Sequence, residues 1–373
     1  MRKKLLLLFL LLMPACTNNG VPNILLLPKY LSIDAANGRL FVVDAANNNF
    51  SLITLSDNKI VTGAPLLNKD STLLIPQLPQ DIAAVNIGNG VSRIFLIGNS
   101  PPPRNIIEVL EYDSTNGLRL SPISPITVGT DGNALLGGLT FDASANRLYV
   151  TSSADNQVFA YNTADGTPVA GTPVSVNGAP TKMGLNPAIH RLFVSSLDGN
   201  SITALNTLDL TTVSLDVGLE TSSVASATNT TGTILFALNP SGNQINVFTF
   251  DPNANTVTAF GSPVVAPAPG QAAPANNVLT GAATQVLASV LPSGVIAGLI
   301  TQSTGDLGFI DVAADFSGFN QGLVTVLNGL GANGIDVLND ANGNGSAVYF
   351  AAPGGGAVSY VNIVTNQFVG QIL

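Results

Sequence analysis

One unit of a polar turn followed by an apolar strand recurs along this chain, and this repetition constrains the fold more than any other feature. Residues 34–42 (DAANGRLFV), 142–150 (DASANRLYV) and 186–194 (NPAIHRLFV) share an Asp or Asn start, a turn that leads into Arg and an apolar-aromatic-apolar run. Residues 88–96 (GNGVSRIFL) form a fourth copy. Recurrence of this kind is typical of supersecondary units that bury a core only by packing on one another.

The spacing of the copies indicates the type of unit. The first apolar residue of each run serves as a landmark, and the landmarks are Leu40, Ile94, Leu148, Leu192, Leu235, Ala297 and Val348. Successive landmarks lie 54, 54, 44, 43, 62 and 51 residues apart, with a mean of about 51. A period of this length in a chain of short apolar runs predicts one propeller blade per repeat.

The second half of the repeat is a hairpin. Val150 is followed eight residues later by Val158, and Ala154-Asp155-Asn156 lies between them. The same positions of later copies hold Asp198-Gly199-Asn200 and Ser241-Gly242-Asn243. Asp, Asn and Gly suit tight connections because they tolerate positive φ. Each repeat is therefore predicted to contain four strands, joined by an Asx turn, a hairpin and a third turn.

The run Arg-Leu-Tyr-Val-Thr at 147–151, with its Asx turn before and its hairpin after, resembles the YVTN family of β-propeller repeats. The resemblance implies blades of four antiparallel strands around a central channel. We expect an all-β chain, a seven-bladed β-propeller of four-stranded antiparallel blades over residues 24–373. Blade sheets are covered on both faces, which accounts for a mean hydropathy of +0.38 without a membrane span.

The first 16 residues resemble the export signal of bacterial lipoproteins. Arg2, Lys3 and Lys4 precede the apolar run at 5–12, and Met13-Pro14-Ala15-Cys16 resembles a lipobox. The run is far shorter than the roughly 20 residues of a membrane-spanning helix. We expect a signal peptide at 1–15, a lipid on Cys16 and a tether at 16–23. Thr17 rather than Asp follows the Cys, which in Gram-negative lipoproteins resembles cargo for the outer membrane.

Composition excludes several classes of protein. A single cysteine excludes a disulfide framework and cysteine-based zinc or iron–sulfur sites. A net charge of -9 and a pI near 4.4 argue against a nucleic-acid partner. The expected contacts are instead the membrane, through the lipid anchor, and a protein or polysaccharide partner outside the cytoplasm.

Few residues suggest chemistry. His190 is the only histidine, and it occupies a slot that holds Gly38, Ser92 and Asn146 in other copies. Gly and Asn in this slot predict a left-handed turn, so His190 is interpreted as a turn residue rather than a general base.

Four arginines occupy equivalent positions, and two interpretations apply. They form a partial ring for an anion, or each pairs with its own turn acid, such as Asp34 or Asp142. We favour the second. The four are Arg39, Arg93, Arg147 and Arg191.

The last part of the chain is acidic. From Leu192 to Leu373 there are ten Asp and Glu residues and no Lys or Arg. Asp340-Ala341-Asn342-Gly343-Asn344-Gly345 matches the first half of a calcium loop, with candidate ligands Asp340, Asn342 and Asn344. Position twelve is Ala351 where an EF-hand has Glu. The segment is interpreted as a Gly/Asn-rich turn, with a looser calcium site as the alternative and no other cofactor.

These observations favour a binding or scaffolding propeller of the cell envelope over an enzyme, and they assign no catalytic residue. The first alternative is a lactonase-like or other hydrolase, since propellers similar to this one carry sites at the mouth of the channel. Such a site would draw on Asp34, Asp142, Asn186 and Asp336, placed near the ends of innermost strands. The second alternative is an outer-membrane assembly factor.

Overall fold

The computed structural model describes residues 28–44, 49–61, 77–100, 104–129, 134–241, 243–266, 278–324, 331–352 and 356–372. Over these residues the chain forms seven antiparallel sheets, each made from consecutive strands. The predicted signal peptide at 1–15, Cys16 and the tether at 16–23 lie outside the described residues.

Each sheet is one blade. Blade 1 contains β1 (Pro28–Asp34), β2 (Arg39–Asp44), β3 (Asn49–Thr54) and β4 (Lys59–Ile60); blade 2 contains β5 (Gln77–Asn86), β6 (Ser92–Ser100), β7 (Ile106–Asp113), β8 (Gly117–Leu120) and the added β9 (Ile126–Thr127). Blade 3 contains β10 (Leu136–Asp142), β11 (Arg147–Ser152), β12 (Gln157–Asn162) and β13 (Val174–Ser175); blade 4 contains β14 (Gly178–Asn186), β15 (Arg191–Asp198), β16 (Ser201–Asn206) and β17 (Thr212–Asp216).

The remaining blades follow the same order. Blade 5 contains β18 (Ser223–Thr228), β19 (Thr233–Asn239), β20 (Gln244–Asp251), β21 (Thr256–Ala259) and the added β22 (Val264–Val265). Blade 6 contains β23 (Ala283–Val290), β24 (Ile296–Gln302), β25 (Leu307–Val312) and β26 (Phe319–Val324); blade 7 contains β27 (Ile335–Asn339), β28 (Gly345–Ala352), β29 (Ala357–Asn362) and β30 (Gln367–Ile372). Two single-turn 3₁₀ helices, Ala35–Asn37 and Pro187–Ile189, precede β2 and β15.

The blades form a closed ring. The first strand of every blade contacts the first strand of the next, and β27 of blade 7 contacts β1 of blade 1. At this last junction the Gly334 N–H donates to the Lys29 carbonyl at 2.7 Å. Strand β30 completes blade 7 by pairing with β29, whereas the Asn23–Leu27 segment, considered as an outer strand, lies outside the described residues. The predicted seven-bladed propeller is confirmed.

Every landmark of the repeat lies in the second strand of its blade, and the residue after it is buried between blades. In six blades this residue is aromatic and at most 2% exposed, and the six are Phe41, Phe95, Tyr149, Phe193, Phe236 and Tyr349. Full burial of a Phe side chain contributes about 1.5–3 kcal/mol. Since neighbouring blades supply the surrounding apolar side chains, the repeated aromatic position is a main source of adhesion between blades.

The predicted turn chemistry is also confirmed. Gly38, Asn146 and His190 adopt φ of 63°, 51° and 54° before the arginine that begins the second strand. Blade 2 departs from this pattern because its turn is made earlier, by residues 88–90, and Ser92 already belongs to β6. The apolar stretch at 286–300 is strand, turn and strand as predicted. Within the described ranges no helix has the length and apolar character needed to cross a membrane.

Blade 6 has Gly298 at the aromatic position, and packing explains the exception. A Cβ built on Gly298 would lie 2.6 Å from the ring of Phe236, which fills the space from blade 5. Gly298→Ala is expected to lower the free energy of unfolding by about 1–3 kcal/mol through overpacking. Gly318→Ala in the same blade, where a Cβ meets nothing within 4 Å, is the matched control and is expected to change it by less than about 0.5 kcal/mol. Urea unfolding measures both, and equal stabilities of the two variants would contradict the prediction.

Candidate functional site in the central channel

The seven first strands surround two adjoining cavities. The first has a volume of about 290 Å³ and is lined by residues from every first strand. The second has a volume of about 370 Å³ and is lined by blades 4 to 7. Five residues line both cavities and are called the shared wall: Leu185, Ser226, Leu287, Ala288 and Asp336. The channel is therefore a concave space of about the size of small-molecule sites, with polar and apolar surface in similar shares.

Side chains join the first strands around the channel. The inner edge of a first strand has no neighbouring strand, so its main-chain groups need other partners. Every junction between neighbouring blades contains a hydrogen bond between a side chain of one blade and the main chain of the adjacent blade. The Ala84 N–H donates to Ser32 at 3.0 Å, and the Leu139 N–H donates to Asp81 at 3.0 Å. The Val286 N–H donates to Ser223 at 3.2 Å, and the Ile33 N–H donates to Asp336 at 2.7 Å. The Thr140 hydroxyl donates to the Met183 carbonyl at 3.4 Å. The Thr181 hydroxyl donates to the Ser222 carbonyl at 2.9 Å, and the Thr284 hydroxyl donates to the Ala332 carbonyl at 2.5 Å.

A charged cluster lies in the first cavity. Lys182 Nζ lies 2.7 Å from Asp81 Oδ2 and also donates to the Gln80 carbonyl at 3.1 Å. The ring of Tyr30 lies between two ammonium groups, since the Nζ atoms of Lys29 and Lys182 are each 5.0 Å from its centroid. Burial, and next the charge of Lys182, lower the pKa of Lys29. Burial, and next the Asp81 carboxylate, raise the pKa of Tyr30, so its phenol is neutral at physiological pH. The cluster contains two ammonium groups and one carboxylate, and the carboxylate is paired with Lys182.

Asp336 differs from this cluster. Its carboxylate accepts hydrogen bonds from the N–H groups of Ile33 and Val337, at 2.7 and 2.8 Å. None of the ion pairs within the described residues includes it. Burial, opposed by these N–H groups and assisted by the charge of Asp81, raises the pKa of Asp336 to about 6. At pH 7 and above the carboxyl is therefore largely ionised and carries a negative charge without an ion-pair partner.

The other polar residues expected at strand ends serve the turns. Asp34 Oδ2 accepts from Asn37 Nδ2 at 2.7 Å and from the Ser92 hydroxyl at 2.6 Å. Asp142 Oδ1 accepts from the N–H and the hydroxyl of Ser144, at 2.9 and 2.6 Å. Asn186 donates to Thr228 of blade 5 at 2.9 Å and lines the second cavity. Asp34, Asp142 and Asn186 are the last residues of β1, β10 and β14, whereas Asp336 lies near the start of β27, so these four residues do not form one site at a single mouth.

The preferred interpretation of the repeated arginines is wrong. Their guanidinium groups reach the following blade rather than the acid of their own turn. Arg39 donates to the carbonyls of Gly90 and Tyr112, and Arg147 donates to the Thr207 carbonyl at 2.7 Å. Arg93 donates to the carbonyls of Thr163 and Ala164, and Arg191 contacts Asn255 at 3.4 Å. An Asx-turn carboxylate already bonded within its own turn leaves the arginine free to join the next blade.

The calcium-loop residues form the connection between β27 and β28. Asp340 Oδ1 accepts from the N–H groups of Asn342 and Asn344, at 2.8 and 2.9 Å, and Gly343 has φ of 82°. A carboxylate used by its own turn is typical of an Asx motif. Within the part of the chain that the structure describes, no group of three or more His, Cys, Asp or Glu residues is placed to hold a metal ion. The calcium site through Asp340, Asn342 and Asn344 stays a prediction.

Sequence reasoning missed Asp81, Lys182 and Ser226. Asp81 and Lys182 are 101 positions apart and follow irregularities in the pairing of β5 and β14, between Pro79 and Asp81 and between Pro180 and Met183. The only signal in the sequence was that Lys182 is the sole lysine among the central blades. Ser226 is a small residue in an apolar strand and gives no signal of its own.

No family model matches the chain, and no curated protein matches it. Solved structures that are similar in fold include dihydro-heme d1 dehydrogenase NirN in complex with DHE, with a TM-score of 0.57 and 12% identity over 93% of this chain and 66% of that chain. Hydrazine synthase of Kuenenia stuttgartiensis has a TM-score of 0.50 and 10% identity over 94% of this chain and 87% of that chain. Raptor of Chaetomium thermophilum has a TM-score of 0.57 and 10% identity over 90% of this chain and 27% of that chain. At such identities the likeness concerns the propeller fold alone.

Proposed function

We propose that this protein is a binding propeller of the bacterial cell envelope, held at the membrane by a lipid on Cys16. The observation that carries the binding role is the channel, a concave space surrounded by all seven first strands whose wall presents polar and apolar surface in similar shares. The order of a positive start, a short apolar run and a lipobox-like end at Cys16 supports export and anchoring. The loop-lined faces of the ring supply further surface for a protein or polysaccharide partner.

The anchor is tested by metabolic labelling in a Gram-negative bacterial host with an alkyne analogue of palmitate. We expect the full-length protein to take up the label and to sediment with the membranes. Cys16→Ser is expected to lose the label entirely, because the sulfur is the acceptor atom. Thr17→Ser, the neighbouring polar position, is the matched control and should be labelled like the parent. Labelling that survives in Cys16→Ser, or an unlabelled parent protein, would rule out the anchor.

The side of the membrane is tested by adding protease to intact cells. Digestion of the propeller indicates display on the cell surface, where a partner in the medium is in reach. Protection until the outer membrane is opened indicates a partner in the periplasm. Recovery of the intact protein in the cytosolic fraction would overturn the envelope proposal, whichever face of the ring binds.

A further inference from the structure

The shared wall combines an ionised group with an unused hydrogen-bonding group. Asp336 and Ser226 belong to different blades, yet both line both cavities. Asp336 is half-buried although it lies in an innermost strand, so the surface it retains faces the channel. The shared wall therefore presents one carboxylate and one hydroxyl among three aliphatic side chains.

The charge of the second cavity is negative and comes from one residue. Asp336 is the only charged side chain in its lining. The remaining polar groups are amides and hydroxyls, from Asn186, Thr228, Ser289 and Asn339. Blades 5 to 7 contain no Lys or Arg, so no basic side chain from those blades is available to neutralise the carboxylate. A carboxylate without an ion-pair partner in a concave space favours a positively charged occupant.

Ser226 supplies a second, independent observation. Its side chain is 7% exposed, and its Oγ has no hydrogen-bond partner. Buried hydroxyls in folded proteins almost always have a partner, and an exception calls for an explanation. The Oγ is closed off from solvent, so an N–H donor in the cavity satisfies it when the Ser226 side chain turns toward the cavity, and the hydroxyl can then donate or accept.

We propose that the shared wall binds the primary ammonium group of a small, partly apolar molecule, with Asp336 as counter-ion and Ser226 Oγ as a hydrogen-bond acceptor. Leu185, Leu287 and Ala288 contact the apolar part of that molecule. This inference rests on the proposed binding role and names its ligand class. Calcium is disfavoured at this wall because the ion takes six to eight oxygen ligands, usually from several carboxylates, and the wall supplies one carboxylate. A carboxylate ligand is disfavoured by repulsion from Asp336.

The test is isothermal titration calorimetry on the purified, full-length mature protein at pH 8, with three probes of equal carbon number. The probes are n-pentylammonium, n-pentanol and n-pentanoate. We expect n-pentylammonium to bind at least about ten-fold more tightly than n-pentanol, the ratio typical of one hydrogen bond to a charged group. We expect n-pentanoate not to bind. Equal affinity for the ammonium and the alcohol, or no binding of any probe, would overturn the proposal.

Variants locate the site. Asp336→Asn is expected to remove the preference for the ammonium probe, and Ser226→Ala is expected to weaken its binding several-fold. Asp315→Asn is the matched control, since Asp315 is an exposed acid of blade 6 outside the lining of both cavities. Because Asp336 also bonds to Ile33 across the ring junction, circular dichroism checks that Asp336→Asn is folded. If it is not, Ser226→Ala decides, and full affinity in that variant overturns the proposal. Calorimetry is independent of the labelling of Cys16, so failure of the anchor and failure of the ligand site are separate results.

Discussion

Replacement of Arg93 by Met is expected to lower the free energy of unfolding by about 3–5 kcal/mol, the usual cost of removing one partner of a buried ion pair. Arg93 is 7% exposed and Glu111 is 6% exposed, and Arg93 Nη2 lies 2.7 Å from Glu111 Oε1. The same guanidinium donates to the carbonyls of Thr163 and Ala164 in blade 3. Without it, the two carbonyls lose this donor, and Glu111 keeps only Ser121 and Arg119 as partners.

Arg191→Met is the matched control, because Arg191 holds the same position of the repeat in blade 4. Arg191 is only half-buried, and its contact with Asn255 in blade 5 is long, at 3.4 Å. We expect a loss of less than about 1 kcal/mol there, as for exposed polar contacts. Urea unfolding of the full-length mature protein measures both variants. A loss at Arg191 as large as that at Arg93 would show that the repeat position, and not burial of the pair, sets the cost.

The pKa of Glu111 reflects the same ion pair with Arg93. Burial alone would raise its pKa, but hydrogen bonds from Arg93 and Ser121 and the charges of Arg93 and Arg119 hold the pKa of Glu111 below its ordinary value. Arg119 still reaches Glu111 Oε2 at 3.1 Å when Arg93 is absent. The cost of Arg93→Met is therefore expected at the lower end of the range, with Arg119 retaining part of the compensation.

The fold was predictable because its information is local and repeated. A turn residue such as Asn146 must tolerate positive φ, and the aromatic at Tyr149 must be buried, in whichever blade they occur. Seven copies of the same requirement make the period visible even where single copies are weak. The exception at Gly298 was visible as a weak copy, but its cause was not, since the ring of Phe236 that replaces the missing side chain belongs to another repeat.

The channel was less predictable because its contacts join different repeats. The partner of Arg39 in blade 2 is a carbonyl, which carries no sequence signature. The first strands satisfy their inner edges with whichever polar side chain fits the local gap, Ser32 at one junction and Asp81 at the next. Such a ring of unlike residues leaves no period to detect. Asp336 was identified as a candidate by its place near the end of an innermost strand, yet its lack of an ion-pair partner depends on what the other six first strands contribute.

The lack of an ion-pair partner makes Asp336 one source of the pH dependence of stability, beside other carboxyls whose pKa shifts on folding. Its pKa is raised from 3.8 to about 6 on folding, so the folded state binds this proton more tightly than the unfolded state does. The resulting stabilisation is complete below about pH 4 and is lost as the pH rises through about 6. Two pKa units correspond to about 3 kcal/mol. The groups that face Asp336 are the Asp81 carboxylate and, paired with it, the Lys182 ammonium.

The difference in unfolding free energy between the parent and Asp336→Asn isolates this titration, because the other carboxyls titrate alike in both proteins. We expect the parent to lose about 3 kcal/mol relative to the variant between pH 4 and pH 7, measured by urea unfolding at closely spaced pH values. A flat difference would mean that Asp336 is as well solvated as an unfolded carboxyl, and the argument for an uncompensated charge in the channel would fail with it. A steep one means that the empty channel destabilises the ring at neutral pH, and n-pentylammonium should then recover more stability at pH 7 than at pH 4.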